Sequence, residues 1–475
     1  MRAYVTFVLA YFLAFAAFHG WLLLMAWIEL RRHASDVTAA NLSQVVRSPL
    51  SPPISILVPA YNESAGIIDS VRSLLALEYP TFEVVVINDG STDETLERLI
   101  EAFDLYAVDH PTPPYVEHKP MHGVYLSHGP LPVRVLDKEN GGKADSLNAG
   151  INFAEYPLVC AIDADSVLEQ DALAKTVLPF TEDPQRTIAT GGLIRVANGC
   201  RVEGGRVAEA RLPRGGLPMF QVVEYLRAFF SARTGWSAVN GLLIISGAFG
   251  VFRKDAVIAV GGYRTDTVGE DMELVMRLHH AMRKQRREYR IVYVPDPVCW
   301  TEAPEHLSVL RRQRRRWHRG SVESLYMHVG MLFNPRYGSV GLLAMPALLL
   351  FEILGPIIEL TGYAVATVAF ATGAIEPPTF ALFLAISVLY GLVLSFGAIA
   401  LEDGSFGRHA GWSQLRRVLR YAVLENLGYR QLGHLFRVEG FWNLIRGGEW
   451  GAMPRRGLSG DVVEEPVPTE SVGLR

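Results

Sequence analysis

The sequence predicts an α/β domain built on a mostly parallel sheet and flanked by transmembrane helices. Three observations carry that reading. Between Ile54 and Pro304, short apolar, β-branched runs alternate with amphipathic ones, the rhythm of strands joined by helices. Three of these runs lead into acidic or amide side chains: Ile54–Val58 ahead of Asn62 and Glu63, Val84–Ile87 ahead of Asp89, and Leu158–Ile162 ahead of Asp163-Ala164-Asp165. Stretches without a charged residue lie on both sides, at Ala3–Ile28 and Thr379–Leu401.

The 475-residue chain is 49% hydrophobic and carries a net charge of -4. Its mean hydropathy of +0.18 is high for a water-soluble enzyme. Nothing in that balance points to nucleic acid as a partner. Cys160, Cys200 and Cys299 are scattered, without metal-ligand or disulfide-framework spacing, so a reducing compartment suits the domain.

Taken in order, Ala3–Ile28 is long enough to cross about 30 Å of hydrocarbon as a helix. Only Arg2 precedes it, whereas Arg31, Arg32 and His33 follow, which places the N-terminus outside and the following domain in the cytosol. Residues 34–53 read as a linker that closes on Pro49, Pro52 and Pro53. Residues 54–305 form the α/β domain. Within it, Asp104–Pro132 reads as an excursion between elements, Val133–Leu136 as a strand and Gly199–Pro218 as a flexible loop. Phe220–Trp236 is amphipathic and could lie on the membrane or pack against the domain, and Met272–His280 has helical periodicity. Residues 306–338 follow as interfacial helices that carry an arginine-dense run. Residues 340–375 contain Pro346, Pro356, Glu352 and Glu359 and read as an interfacial lead-in with one kinked span. Residues 379–401 are a second span after the domain. Residues 402–475 form a cytosolic interfacial tail with Arg416, Arg417, Arg420, Trp442, Arg446 and Trp450.

Open α/β sheets bind ligands at the carboxyl ends of their strands. The convergence of Asn62, Glu63, Asp89, Asp163 and Asp165 there implies one polar site for a nucleotide and a metal. Asp163 and Asp165 are spaced to grip a divalent cation bridging two phosphates, and hard oxygen ligands suit Mg²⁺ or Mn²⁺. In Asn140-Gly141-Gly142-Lys143, two permissive glycines bring an ammonium toward a diphosphate or nucleoside. Asp271 begins a helix, where a carboxylate either steadies the N-terminus or acts as a general base. Gln313, Arg316 and Trp317 offer donors to phosphate and a flat face to a sugar, while Arg311, Arg312, Arg314 and Arg315 are expected at lipid headgroups. Glu352 and Glu359 are two helical turns apart and so share a face, bordering a polymer path or pairing with another helix.

In sequence order, Asp89, Asp163-Ala164-Asp165, Gly269-Glu270-Asp271 and Gln313–Trp317 resemble the processive, membrane-bound family-2 glycosyltransferases of the cellulose, hyaluronan and poly-N-acetylglucosamine synthase type. The likeness covers about Ile54–Gly320 and the flanking spans. It implies a Rossmann-like GT-A fold, a UDP-sugar donor, a divalent metal and inversion at the anomeric carbon. By position, Asp89 and Asp163 would hold the nucleoside, Asp165 the metal, and Asp271 would be the base. Gln313, Arg316 and Trp317 would bind the diphosphate and the acceptor end, and Ser246 and Gly247 would line the acceptor site. Two positions depart from the family pattern: Asn88 stands where many members have aspartate, and Gly269 where threonine is frequent. The expected product is a β-glycan at the cell membrane. Glycan or lipid acceptors, membrane lipids and an accessory subunit are the expected partners. A non-processive transferase acting on a lipid-linked acceptor, and a catalytically inactive scaffold or nucleotide sensor, are the competing readings.

Overall fold

The computed structural model describes residues 1–39, 48, 50–111, 113–129, 132–203, 205–406 and 411–446. The strands are β1 (Ile54–Ala60), β2 (Phe82–Asn88), β3 (Leu105–Val108), β4 (Met121–Ser127), β5 (Val133–Lys138), β6 (Leu158–Ile162), β7 (Val167–Leu168), β8 (Thr187–Val196), β9 (Arg201–Glu203), β10 (Arg206–Glu209), β11 (Phe249–Arg253) and β12 (Arg290–Thr301). All but β9 and β10 join one sheet in the order β3-β4-β5-β2-β1-β6-β11-β8-β12-β7. Strands β1, β2, β3, β5, β6, β8 and β12 run one way, against β4, β7 and β11.

The period-2 alternation of a strand sends its side chains to both faces. Ile54, Ile56, Val58, Val84 and Val86 enter one core; Leu57, Val85, Ile87 and Leu136 enter the other. Each fully buried side chain of this size contributes about 1.5–3 kcal/mol. With both faces covered, these central strands read as continuous apolar runs, which is why they were legible in the sequence.

Two segments expected to be irregular are not. The stretch 104–132 contains β3 and β4, which extend the sheet beyond β5 through antiparallel pairing. The stretch 199–218 contains the β9–β10 hairpin. β3, at the sheet edge, and β4 beside it bury only part of their length, so their apolar signal is diluted by polar residues.

Ten helices matter below: α1 (Arg2–Ala39), α2 (Lys143–Phe153), α3 (Gly216–Tyr225), α4 (Arg233–Ala238), α5 (Glu270–Lys284), α6 (Leu307–Met327), α7 (Gly355–Ala371), α8 (Pro377–Phe406), α9 (Trp412–Leu424) and α10 (Arg430–Arg446). A π-helical turn, Leu226–Ala232, joins α3 to α4. Helices α1 and α8 are long and apolar enough to cross a membrane; residues 340–353 and α7, bent by 41°, would make a third crossing if they form one span. The segment 220–236 packs against the molecule: Met219, Val223 and Leu226 are buried with Ala398, Ile399 and Val418. Backbone meets backbone where α4 crosses α1, since a Cβ on Gly235 would lie 2.5 Å from the Leu22 carbonyl.

Part of the expected surface tail is also packed inward. Helix α10 lies along α6, with Gly440 against the backbone of Arg315 and Glu439 paired to Arg311 at 2.7 Å. Trp412 and Trp442 remain exposed, whereas Trp450 and the side chain of Arg446 lie outside the described residues.

Candidate active site

The carboxyl ends of β1, β2 and β6 are tied together by their own side chains. Asn62, in a left-handed conformation with φ 54°, accepts the Thr92 N–H at 2.8 Å and donates its own N–H to Ser91 Oγ. The Glu63 N–H donates to Thr95 Oγ1 at 3.0 Å. Both residues therefore brace the 91–95 loop.

Asp89 is turned inward. It is 3% exposed, and its carboxylate accepts from Lys138 Nζ at 2.7 Å, Gly141 N–H at 3.0 Å and Gly142 N–H at 2.7 Å. Lys138 is completely buried and reaches Asp145 at 2.6 Å as well. Sequence reading missed Lys138 and Asp145, although a lysine ending a strand next to a glycine turn was a usable signal. The arrangement fixes the 140–143 turn, in which Gly142 has a φ of 85° open to glycine, and so aims Lys143.

Lys143 opens α2 and forms an ion pair with Asp163, while its ammonium also donates to the Gly247 carbonyl at 2.9 Å. Burial works against this charge, but Asp163, Glu270 and Asp271 outweigh it and hold the Lys143 pKa above the ordinary lysine range. On the other side of the same peptide segment, the Gly247 N–H donates to Asp271 Oδ2 at 2.9 Å. Asp271 Oδ1 accepts the Met272 N–H at 2.8 Å. One glycine thus bridges the lysine and the aspartate. Next to Asp271, burial and the neighbouring carboxylate push the Glu270 pKa upward, opposed by Lys143 and Arg316. Arg316 of α6 therefore acts on Glu270 through space.

Helices α5 and α6 meet at Gly269 and Gly320. A Cβ on Gly320 would lie 2.9 Å from Gly269 Cα, and one on Gly269 would lie 2.8 Å from Gly320 Cα. This contact accounts for glycine at 269, and it sets the distance between Asp271 and the Gln313–Trp317 segment. Gly320→Val should destabilise the protein by about 1–3 kcal/mol through overpacking against backbone that cannot yield. Thermal inactivation of the purified chain checks this; an unchanged midpoint would refute it.

The arginine-dense run divides by burial. Arg316 is exposed. Arg314, expected at lipid headgroups, is buried and paired with Glu224 at 2.7 Å, its guanidinium 4.5 Å from the Trp317 ring. Arg311, expected there too, pairs with Glu439. The reason is coverage: α10 packs along α6, and Glu224 of α3 reaches Arg314, on faces that an isolated helix would leave open. Gln313 Oε1 is buried without a hydrogen-bond partner among the described residues.

A cavity of about 310 Å³ runs from this site toward the apolar helices. Ser246, Gly269, Asp271 and Trp317 line its domain side; Phe18, His19, Phe351 and Glu352 line the far side. Glu359 does not share that face. It is 2% exposed, accepts from Tyr390 Oη at 2.7 Å, and lies 3.5 Å from Arg430 and 3.4 Å from His434. The bend between residues 353 and 355 breaks the regular two-turn spacing that would have aligned the two glutamates.

The donor set of Asp163 and Asp165 is hard oxygen. Among the described residues, no group of three or more His, Cys, Asp or Glu is placed to hold an ion without help. Two such carboxylates suit a hard divalent cation whose remaining ligands come from substrate phosphates.

The sheet order, with its polar cluster at the strand ends, defines an α/β domain of the GT-A type. A mannosyltransferase structure from Pyrobaculum calidifontis, in complex with GDP-Man and Mn²⁺, shares the fold at a TM-score of 0.50 and 20% identity, covering 89% of this chain and 99% of that one. The domain belongs to glycosyltransferase family 2. Residues 55–260 match the profile for glycosyl transferase family 2, and residues 158–394 that for glycosyl transferase family group 2. The chain is 32% identical over 275 residues to a poly-beta-1,6-N-acetyl-D-glucosamine synthase of Staphylococcus aureus, covering 57% of this chain and 55% of that protein. The Staphylococcus epidermidis synthase is likewise 32% identical, over 273 residues, covering 57% of this chain and 55% of that protein. The aligned part thus spans about half the length of these relatives.

Proposed function

We propose that the chain transfers a sugar from a UDP-sugar to a growing polysaccharide at the membrane, processively and with inversion, with N-acetylglucosamine as the first donor to test. The observation that carries this reading is the Gly247 bridge between Lys143 and Asp271, set at the mouth of a cavity that leads toward the apolar helices. A diphosphate on the Lys143 side and an acceptor on the cavity side would face each other across Asp271. The similarity to poly-N-acetylglucosamine synthases supports a polymer as product.

In this reading the acceptor hydroxyl loses its proton to Asp271 and attacks the anomeric carbon opposite the departing UDP. The Gly247 N–H keeps Oδ2 of Asp271 oriented. Lys143 and Arg316 offset the charge that develops on the diphosphate. A divalent cation, when bound by Asp163 and Asp165, would add to that charge stabilisation. Asn62, Glu63 and Asp89 shape the nucleoside side through the loops they fix. Trp317 and Ser246 line the acceptor side, Gln313 on the same helix as Trp317 would bind the diphosphate or the acceptor end, and Glu352 borders the path. The domain would face the cytosol of a multi-pass protein in the cell membrane, with an accessory subunit completing the export route.

The test is to incubate the protein in lipid nanodiscs with labelled UDP-glucose, UDP-N-acetylglucosamine or UDP-glucuronate and Mg²⁺ or Mn²⁺, and to size the products. High-mass product from one donor is expected, abolished by chelator and reduced at least about 100-fold in Asp165→Asn. A single small lipid-soluble product would establish non-processive transfer instead. Donor binding without turnover would establish the non-catalytic reading.

A further inference from the structure

When the ion pairs among the described residues around the cavity are matched, one cation is left over. Arg314 is held by Glu224 at 2.7 Å and Arg437 by Glu352 at 3.2 Å. Burial, with Arg437 beside it, pushes His318 down to about 4, so that ring adds no charge near neutral pH. Arg233, at the start of α4, lines the same cavity and is 7% exposed, yet it makes no hydrogen bond or ion pair among the described residues. Its guanidinium sits 4.2 Å from the centre of the Phe229 ring. A desolvated guanidinium is costly until something bonds to it, and its five donors suit an oxygen-rich partner.

Phosphate and sugar both supply such oxygens. The walls favour sugar. Tyr225, Phe229, Trp236 and Trp317 present flat aromatic surfaces to the cavity, and Asp271 lies close enough to act electrostatically on Arg233. That carboxylate already partly balances the cation and would repel a second anion.

We infer that Arg233 is an acceptor-binding residue that admits uncharged, oxygen-bearing sugars beside Asp271 and turns away sugars that carry an ammonium group. A hydroxyl or N-acyl oxygen accepts from the guanidinium; a protonated amine in its place has no lone pair to accept with and leaves the guanidinium unbonded, and such a mismatch is how binding sites reject close analogues. The inference rests on the acceptor role proposed for the cavity.

The test uses the full chain in nanodiscs at mildly acidic pH, where sugar amines are protonated. Calorimetry compares a fully N-acetylated glucosamine tetrasaccharide with its free-amine counterpart, in wild type, Arg233→Met and Arg233→Lys. Wild type should bind the acetylated form about tenfold more tightly. Arg233→Met should lose the preference and Arg233→Lys should keep it, with UDP affinity unchanged and melting temperature no lower than wild type in both. A preference that survives in Arg233→Met overturns the inference, as does binding of neither glycan by wild type. Tighter binding of a polyprenyl phosphate than of either glycan, lost in Arg233→Met, would assign the residue to phosphate and overturn it equally. Elongation is read separately: a bound acetylated glycan that is never extended counts against the transferase reading and leaves the selectivity result standing.

Discussion

Asp271→Asn is expected to lower sugar transfer about 10²- to 10⁴-fold while leaving UDP-sugar binding intact, because the amide cannot take the acceptor proton. The fold should survive. Among the described residues Asp271 accepts from two main-chain donors, Gly247 N–H and Met272 N–H, and asparagine can still accept from one of them. Losing the other costs about 1 kcal/mol. Transfer of labelled sugar and calorimetric titration with UDP separate the two effects. Turnover within tenfold of wild type would remove Asp271 from the role of base and leave it as a helix-terminal charge.

Lys138→Met should have the largest effect on stability. The ammonium lies between two carboxylates, 2.7 Å from Asp89 and 2.6 Å from Asp145. Its removal leaves two buried anions that, among the described residues, keep only backbone N–H donors. Breaking a buried pair in this way costs about 3–5 kcal/mol, far more than methionine's packing can return. The triple variant Lys138→Met, Asp89→Asn, Asp145→Asn should recover much of the loss, since no net buried charge remains. Thermal inactivation midpoints of the three proteins decide the matter; a single variant that melts with wild type would show that solvent reaches the cluster.

The strand ends and the long apolar helices were legible because their signals are local. An unbroken β-branched run ending in aspartate needs no partner to be recognised, and neither does a charge-free stretch long enough to cross a bilayer. What could not be read depends on neighbours distant in sequence. Asp89 looks like a site carboxylate from its position after β2, and only the fold shows Lys138 and the 141–142 amides closing over it. Arg314 belongs to a basic stripe in the sequence, and only the approach of α3 shows that Glu224 buries it. Glu352 and Glu359 share a face on a straight helix, and a 41° bend separates them. Arg233 carries no local signal at all, because its meaning lies in the partner it lacks among the described residues.

The packing of α10 along α6 also has a biosynthetic meaning. The helix bearing Gln313, Arg316 and Trp317 leaves the ribosome well before the segment that covers it. Its final seating waits for Glu439 to reach Arg311 and for Gly440 to pass against Arg315. A nascent chain paused between the two helices already owns every proposed reactive side chain, yet has an unfinished acceptor wall. Completion of the polypeptide, rather than emergence of its chemistry, would then set the moment at which nucleotide sugar begins to be consumed.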